Sequence, residues 1–251
     1  MKTFKVATYN IHKGVQGLGP ARRLEIHNLG HAVEQFDADI VCLQEVRAFN
    51  RQQARRFKYW PDQGQADFLA PEGYTPVYRT NAITKHGEHG NALLSRWPVL
   101  EHRHEDMSDH RLEQRGLLHV TLQMQAREVH VIVIHLGLLP GSRLRQTQQL
   151  HDFIAREVPA DAPLLVAGDF NDWNEKLDHV LHAANLKRAE KDVGSTDAGA
   201  CCLIAITIPL IACFTYIPMT ELSQRVQDTV VMLVTYLPQL SLWLPRLIAS
   251  F

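Results

Sequence analysis

Val129-His130-Val131-Ile132-Val133-Ile134-His135-Leu136 is the stretch on which the fold turns. β-Branched residues favour extended chain, and a run this continuous in Val and Ile is expected of a strand covered on both faces. Its last polar residue, His135, falls at the strand's end. Three other segments pair an apolar run with polar residues at its end: Thr8-Tyr9-Asn10-Ile11-His12, Cys42-Leu43-Gln44-Glu45-Val46 and Gly168-Asp169-Phe170-Asn171-Asp172. Open sheets place ligands beyond the ends of their strands, so the polar residues of these segments are expected to gather there.

Outward from this stretch, strands are predicted at Lys5 to Ile11, Asp39 to Val46, Tyr74 to Tyr78, Ala92 to Ser95, Leu117 to Leu122 and Pro163 to Ala167. A Gly-rich loop (Gly14, Gly17, Gly19, Pro20) follows the first strand, and residues 51–70 read ambiguously. Helices are predicted over 21–36, with Leu24, Leu29, Val33 and Phe36 as the apolar stripe, over Arg143 to Glu157, with Leu144, Leu150 and Ile154 inward, and over Glu175 to Ala184. Strands and helices around a doubly covered sheet predict a layered α/β sandwich.

Lys plus Arg (26) nearly cancels Asp plus Glu (27), so no global positive field draws the chain to nucleic acid. Cys42 reads as a small buried hydrophobe, and Cys201, Cys202 and Cys213 lack the spacing of a zinc site or disulfide framework. Met1 to Val6 contains no apolar signal stretch, which predicts a cytoplasmic head.

The collected strand-end residues are a carboxylate pair, two amides and a histidine. Glu45 and Asn10 offer hard oxygen donors of the kind magnesium takes. The plain alternatives are a surface salt bridge for Glu45 and a cap for Asn10. Asp169 and Asn171 lie two apart in extended chain, so their side chains leave one face. An anionic acceptor beside an amide suits positioning a water while holding a phosphoryl oxygen; the plain alternative is a turn. Arg115 offers a fork of donors to a phosphate, or an exposed ion pair. Arg51, Arg55, Arg56 and Lys58 beside Tyr59-Trp60 read as a solvated helix face, and His86, His89, His102 and His104 as exposed loop histidines.

Taken in order, Thr8-Tyr9-Asn10-Ile11-His12-Lys13-Gly14, Leu43-Gln44-Glu45-Val46, Gly90-Asn91-Ala92-Leu93-Leu94-Ser95-Arg96, Gln114-Arg115-Gly116, His135-Leu136-Gly137 and Gly168-Asp169-Phe170-Asn171-Asp172 resemble the endonuclease/exonuclease/phosphatase superfamily, and within it the bacterial YbhP-type branch. The resemblance covers roughly residues 3–190. It implies a DNase I-like four-layered α/β/β/α sandwich and hydrolysis of phosphoesters with Mg2+ or Mn2+. It carries Asn10 and Glu45 over as metal-site residues. By the same resemblance Asp169 would position or activate the attacking water, Asn171 would hold the phosphate, and His135 would stabilise charge on the phosphoryl group. Arg115 and Asn91 follow as supporting or substrate contacts. Implied partners are nucleic acid, a phospholipid headgroup or a small phosphate ester.

The resemblance also predicts two closing motifs, an Asp-Arg-Ile-Tyr-like strand and a terminal Ser-Asp-His, and neither stands after residue 192. Ser108-Asp109-His110 lies too far upstream to serve, and Asp178-His179 falls in a helical pattern. Loss of an acid–base histidine implies turnover impaired by ~10²–10⁴-fold. Composition changes near residue 197: only Glu221, Arg225, Asp228 and Arg246 are charged beyond it. Residues 1–192 are therefore read as an incomplete domain and 193–251 as an atypical apolar tail. Ala198 to Thr220 carries no charge over 23 residues and Thr229 to Pro245 none over 17, against about 20 for a spanning helix. Three accounts stand, in this order: an out-of-frame end, a membrane hairpin within 198–245, and a divergent half-sheet. Three functions follow: a hydrolase, a relative that binds metal or phosphate without turnover, and a membrane-tethered lipid phosphoesterase.

Overall fold

The computed structural model describes residues 4–17, 19–111, 113–172, 177–183, 186–188, 202–207 and 214–216. In chain order the elements are β1 (Phe4–Asn10), a short 3-10 turn at His12–Gly14, β2 (Val15–Gln16), a second 3-10 turn at Gly19–Ala21, β3 (Arg23–Leu24), α1 (Ile26–Phe36) and β4 (Ile40–Val46). Then come α2 (Arg51–Arg56), α3 (Gln65–Leu69), β5 (Thr75–Thr84), β6 (Gly87–Ser95), β7 (Val99–Asp106), β8 (Gly116–Met124) and β9 (Arg127–His135). The series closes with α4 (Pro140–Glu157), β10 (Leu164–Asp169), α5 (Asp178–Ala183), β11 (Leu186–Arg188), β12 (Cys202–Thr207) and β13 (Phe214–Tyr216).

Two sheets carry the fold, one ordered β13-β1-β4-β6-β5 and the other β11-β12-β10-β9-β8-β7. β9 shows why they stack. Its side chains alternate between faces, so Val131 and Val133 enter the core between the sheets with Val6, Cys42, Leu93, Leu118 and Leu165. Ile132 and Ile134 enter a second core against Leu150 and Phe153 of α4 and Leu181 of α5. A third core packs Ile26 and Val33 of α1 and Leu69 of α3 on Val41, Leu43 and Leu94 of the first sheet. Three apolar layers between four layers of structure make the α/β/β/α sandwich.

Several elements differ from the sequence reading. α1 begins at Ile26, after a short antiparallel pairing of Val15 with Leu24. The polar β7 was not predicted: it is an edge strand, antiparallel to β8, with most side chains in solvent. His102 and His104 lie on it and His89 on β6, so three of the four predicted loop histidines are strand residues; His86 is in the turn between β5 and β6. Leu144 was expected inward but is 52% exposed. The inward face of α4 begins instead with Ser142, Gln146 and Thr147 before Leu150 and Phe153. Gln146 faces in because its amide holds Gly137 N (2.8 Å) and Met107 O (3.1 Å).

Parts of the apolar tail belong to the sheets. Cys202–Thr207 pairs antiparallel with β10, from Leu165 opposite Ile206 to Asp169 opposite Cys202, and Phe214–Tyr216 pairs parallel with β1. The remainder of the two uncharged runs, with Cys201 and Cys213, lies outside the described residues. Among the described residues no helix is long and apolar enough to cross a membrane.

Candidate active site

β1 and β4 run parallel, with Asn10 opposite Gln44, and so deliver Asn10 and Glu45 to one end of the first sheet. β9 and β10 run parallel in the second sheet and place His135 opposite Asp169. Packing of the sheets joins the two ends. Asn10 Nδ2 donates to Asp169 Oδ2 at 3.0 Å and lies 3.5 Å from Glu45 Oε1. His135 Nε2 stands 3.7 Å from Asp169 Oδ2.

Local backbone sets these positions. A bulge between Leu43 and Val46 interrupts the β4–β6 ladder, and Glu45 at its centre takes φ 56°. Asn171 takes φ 50°. Left-handed backbone in non-glycine residues costs on the order of 1–3 kcal/mol each and persists where surrounding contacts impose it. For Asn171 those contacts are its amide bond to Leu136 O (2.8 Å) and its N–H to Asp169 Oδ1 (3.0 Å). Phe170 between them is fully buried. Gly168, at φ +155°, lets β10 lie so close to β9 that a Cβ there would meet Ile134 O at 1.9 Å.

Asp169 accepts one bond on each oxygen, from Asn171 N and Asn10 Nδ2, which fixes the carboxylate plane. Glu45 Oε2 holds Lys13 Nζ at 2.6 Å. Burial pushes the Glu45 carboxyl up, but the Lys13 ammonium, by its charge and its hydrogen bond, more than reverses this, and it settles at about 2. His135 is held below its ordinary value, first by burial and then by the charge of Arg115, so the ring is neutral at pH 7. Arg115 is fixed by Glu113 Oε1 (3.0 Å) and Leu136 O (3.3 Å).

Asn91 is fully buried and spends both amide hydrogens on Gly116 O (2.9 Å) and Val133 O (3.1 Å). It therefore bolts β6 of one sheet to β8 and β9 of the other. Asp109 binds the Arg145 guanidinium through both oxygens and accepts from Ser142, a structural clasp. Asp178 and His179 begin α5. Lys13 and Arg47 act on Glu45 without having been singled out, and so does His89, which was read as an exposed loop histidine. Their signal was adjacency, since Lys13 and Arg47 sit inside or beside the quoted motifs.

Among the described residues no three of His, Cys, Asp or Glu form a closed metal cage. The donors present fit a hard divalent cation that keeps most of its water. Glu45 is ionised and its Oε1 has only the long contact to Asn10 Nδ2; the Asn10 amide oxygen accepts from His12 N at 3.0 Å, so Asn10 would offer its oxygen to a cation beside Glu45 only by turning its amide over.

The profile of the Endonuclease/Exonuclease/phosphatase family matches residues 7–217. The chain belongs to this family. The YbhP protein of Escherichia coli K12 is 40% identical over 182 residues, 71% of each chain. The mannosyl-6-phosphatase of Bacteroides thetaiotaomicron superposes with TM-score 0.58 at 15% identity, covering 81% of this chain and 85% of its own. The sphingomyelinase C of Streptomyces griseocarneus does so with TM-score 0.53 at 23% identity, covering 76% and 72%. At these identities the two structures establish the shared DNase I-like fold. The match to residue 217 includes β11, β12 and β13.

Proposed function

We propose that the chain hydrolyses phosphoester bonds, phosphodiesters foremost, with Mg2+ or Mn2+ held at Glu45 and Asn10. The observation that carries this reading is the hydrogen bond from Asn10 to Asp169, which joins the cation-binding end of one sheet to the acid–base end of the other. A bound cation would supply charge neutralisation at the phosphoryl oxygens. Asp169, with its plane fixed by Asn10 and Asn171, orients the attacking water and takes its proton. Asn171 gives one amide hydrogen to Leu136 O and keeps the other for a phosphoryl oxygen. The neutral His135 ring can donate a hydrogen bond to the same group without adding a competing positive charge. Arg115 keeps two of its five guanidinium hydrogens free beyond its bonds to Glu113, Leu136 and Gln114 O. Asn91 acts in support, by holding the sheets in register.

The range of related enzymes, a sugar phosphatase and a sphingomyelinase among them, is consistent with nucleic acid, phospholipid headgroup or small ester as substrate. A second reading, a relative that binds metal or phosphate without turnover, is favoured by one observation: no histidine follows His182 in these 251 residues. Hydrolysis of bis(p-nitrophenyl) phosphate by the full chain separates the two. Turnover abolished by EDTA and by Glu45→Ala supports the hydrolase. A folded chain that binds Mn2+ and releases no nitrophenol would establish the second reading instead.

A further inference from the structure

Arg115 does not reach the site unaccompanied. Its Nη2 donates to Glu113 Oε1 at 3.0 Å, and the two side chains are 13% and 15% exposed. The same Glu113 oxygen accepts from Leu138 N at 3.1 Å. Its other oxygen lies against Gly137, where a Cβ would meet it at 2.5 Å, and stands 3.8 Å from His110 Nε2. The carboxylate is therefore wedged between the loop that carries Arg115 and the loop that follows β9.

That second loop shows which way the pair faces. Leu136 O accepts from Arg115 Nε at 3.3 Å and from Asn171 Nδ2 at 2.8 Å. Arg115 and Asn171 thus converge on one carbonyl, and one phosphoryl group can take the hydrogens that both have to spare. Holding Arg115 there does not require a negative charge, since Leu136 O and Gln114 O already accept from it. A neutral amide in place of the carboxylate could also accept from Leu138 N. What the carboxylate adds is charge: it cancels, beside the phosphate-binding guanidinium, the attraction an anion would otherwise feel.

A phosphodiester carries one negative charge. A phosphomonoester carries nearly two above pH 7, because its second ionisation lies near 6. A neutralised guanidinium serves the diester through its hydrogen bonds, whereas the second charge of the monoester meets Glu113 uncompensated. We propose that Glu113 is a specificity-determining residue, whose charge set against Arg115 makes the site disfavour dianionic phosphomonoesters relative to monoanionic phosphodiesters. The proposal rests on the phosphoester reading and narrows its substrate class.

Hydrolysis of bis(p-nitrophenyl) phosphate and of p-nitrophenyl phosphate at pH 8.5 tests it, since both release the same nitrophenolate. A unit charge about 7 Å from the phosphoryl group, at an effective dielectric of about 20–40, alters the preference between monoanion and dianion roughly 5–50-fold. Glu113→Gln is expected to shift the ratio of kcat/KM values toward the monoester by that factor. A carboxylate with only a structural role would lower both values and leave their ratio unchanged. Gln114 is exposed and its side chain holds Ile83 N at 3.2 Å. Gln114→Lys therefore adds the opposite charge beside the pair, and shifts the ratio the same way if Glu113→Gln fails to fold. An unchanged ratio in the folded variants, or a shift toward the diester, overturns the proposal. If the chain hydrolyses neither ester, calorimetry with inorganic phosphate in EDTA at pH 8.5 decides. Tighter binding by Glu113→Gln than by wild type keeps the charge role of Glu113 and removes the hydrolase reading. Binding no tighter, or none by either protein, overturns the proposal.

Discussion

Replacing His119 by Phe should flatten the acid limb of this protein's stability. His119 on β8 and His130 on β9 are 2% and 6% exposed, with His119 Nε2 and His130 Nδ1 at 2.9 Å and rings nearly parallel. One proton serves that contact, and His119 Nδ1 is buried without a partner. Burial, then the neighbouring His130, lowers His119 from 6.5 to about 4, and burial lowers His130 as well. The unfolded chain therefore binds more protons than the folded one between these values, so stability is full above about pH 6.5 and falls as the pH drops toward 4. At ~1.4 kcal/mol per pH unit, His119 alone costs on the order of 3 kcal/mol across that window. His119→Phe keeps an aromatic ring against Phe153, whose centroid lies 5.5 Å away, and removes the titration. Urea unfolding at steps from pH 7.5 to 4.5 should give a shallower slope for the variant, whatever its offset at pH 7.5. Parallel curves for the two proteins would falsify the argument.

Other perturbations test the site and the sheet that carries it. Gly168→Ala places a Cβ against Ile134 O and should lower Tm by roughly 2–12 °C, in line with an overpacking cost of about 1–3 kcal/mol in a chain of this size, while abolishing any ester hydrolysis; an unchanged melting curve would contradict the close β9–β10 approach. Lys13→Gln removes the partner that holds the Glu45 carboxyl near 2, so carboxyl-detected NMR should find it titrating about 1–3 pH units higher, and no movement would mean that burial and the histidines set its state. Ala205→Pro removes a backbone donor from β12, which lies between β10 and β11, and should cost about 1–3 kcal/mol for the lost ladder bond; a neutral outcome would detach 202–207 from the sheet. The out-of-frame origin proposed for the tail predicts that another frame downstream of codon 192 encodes Asp-Arg-Ile-Tyr and Ser-Asp-His, and a coding DNA without them counts against it.

The strand-end residues were legible because each interrupts an apolar run, and runs of Val and Ile declare a buried strand without any partner being known. Layering was legible for the same reason: period two along β9 sends Val131 and Val133 one way and Ile132 and Ile134 the other. β7 was not legible, since an edge strand in solvent has no apolar face to reveal its period. The inward polar face of α4 was hidden likewise, because Ser142 and Gln146 are buried for hydrogen bonds made to Asp109 and Met107, in a segment distant in sequence. Asn91 carries a motif position but works across the sheets, through contacts to Gly116 and Val133 that no local pattern announces. Gln65 had no sequence signal, yet it fixes both Lys13 and Arg47.

Asn10 and Glu45 come from one sheet, and His135, Asp169 and Asn171 from the other. On the proposed reading, neither sheet alone holds a working half. During synthesis, the chain has emitted four of the five strands of its leading sheet and all of α1 long before β10 exists, so any activity must switch on late and all at once. A partly folded intermediate with correct strands but undocked layers would be silent toward substrate. The hydrolysis proposed for this architecture would thus be a sensor of inter-sheet docking, lost before secondary structure when the two layers slip.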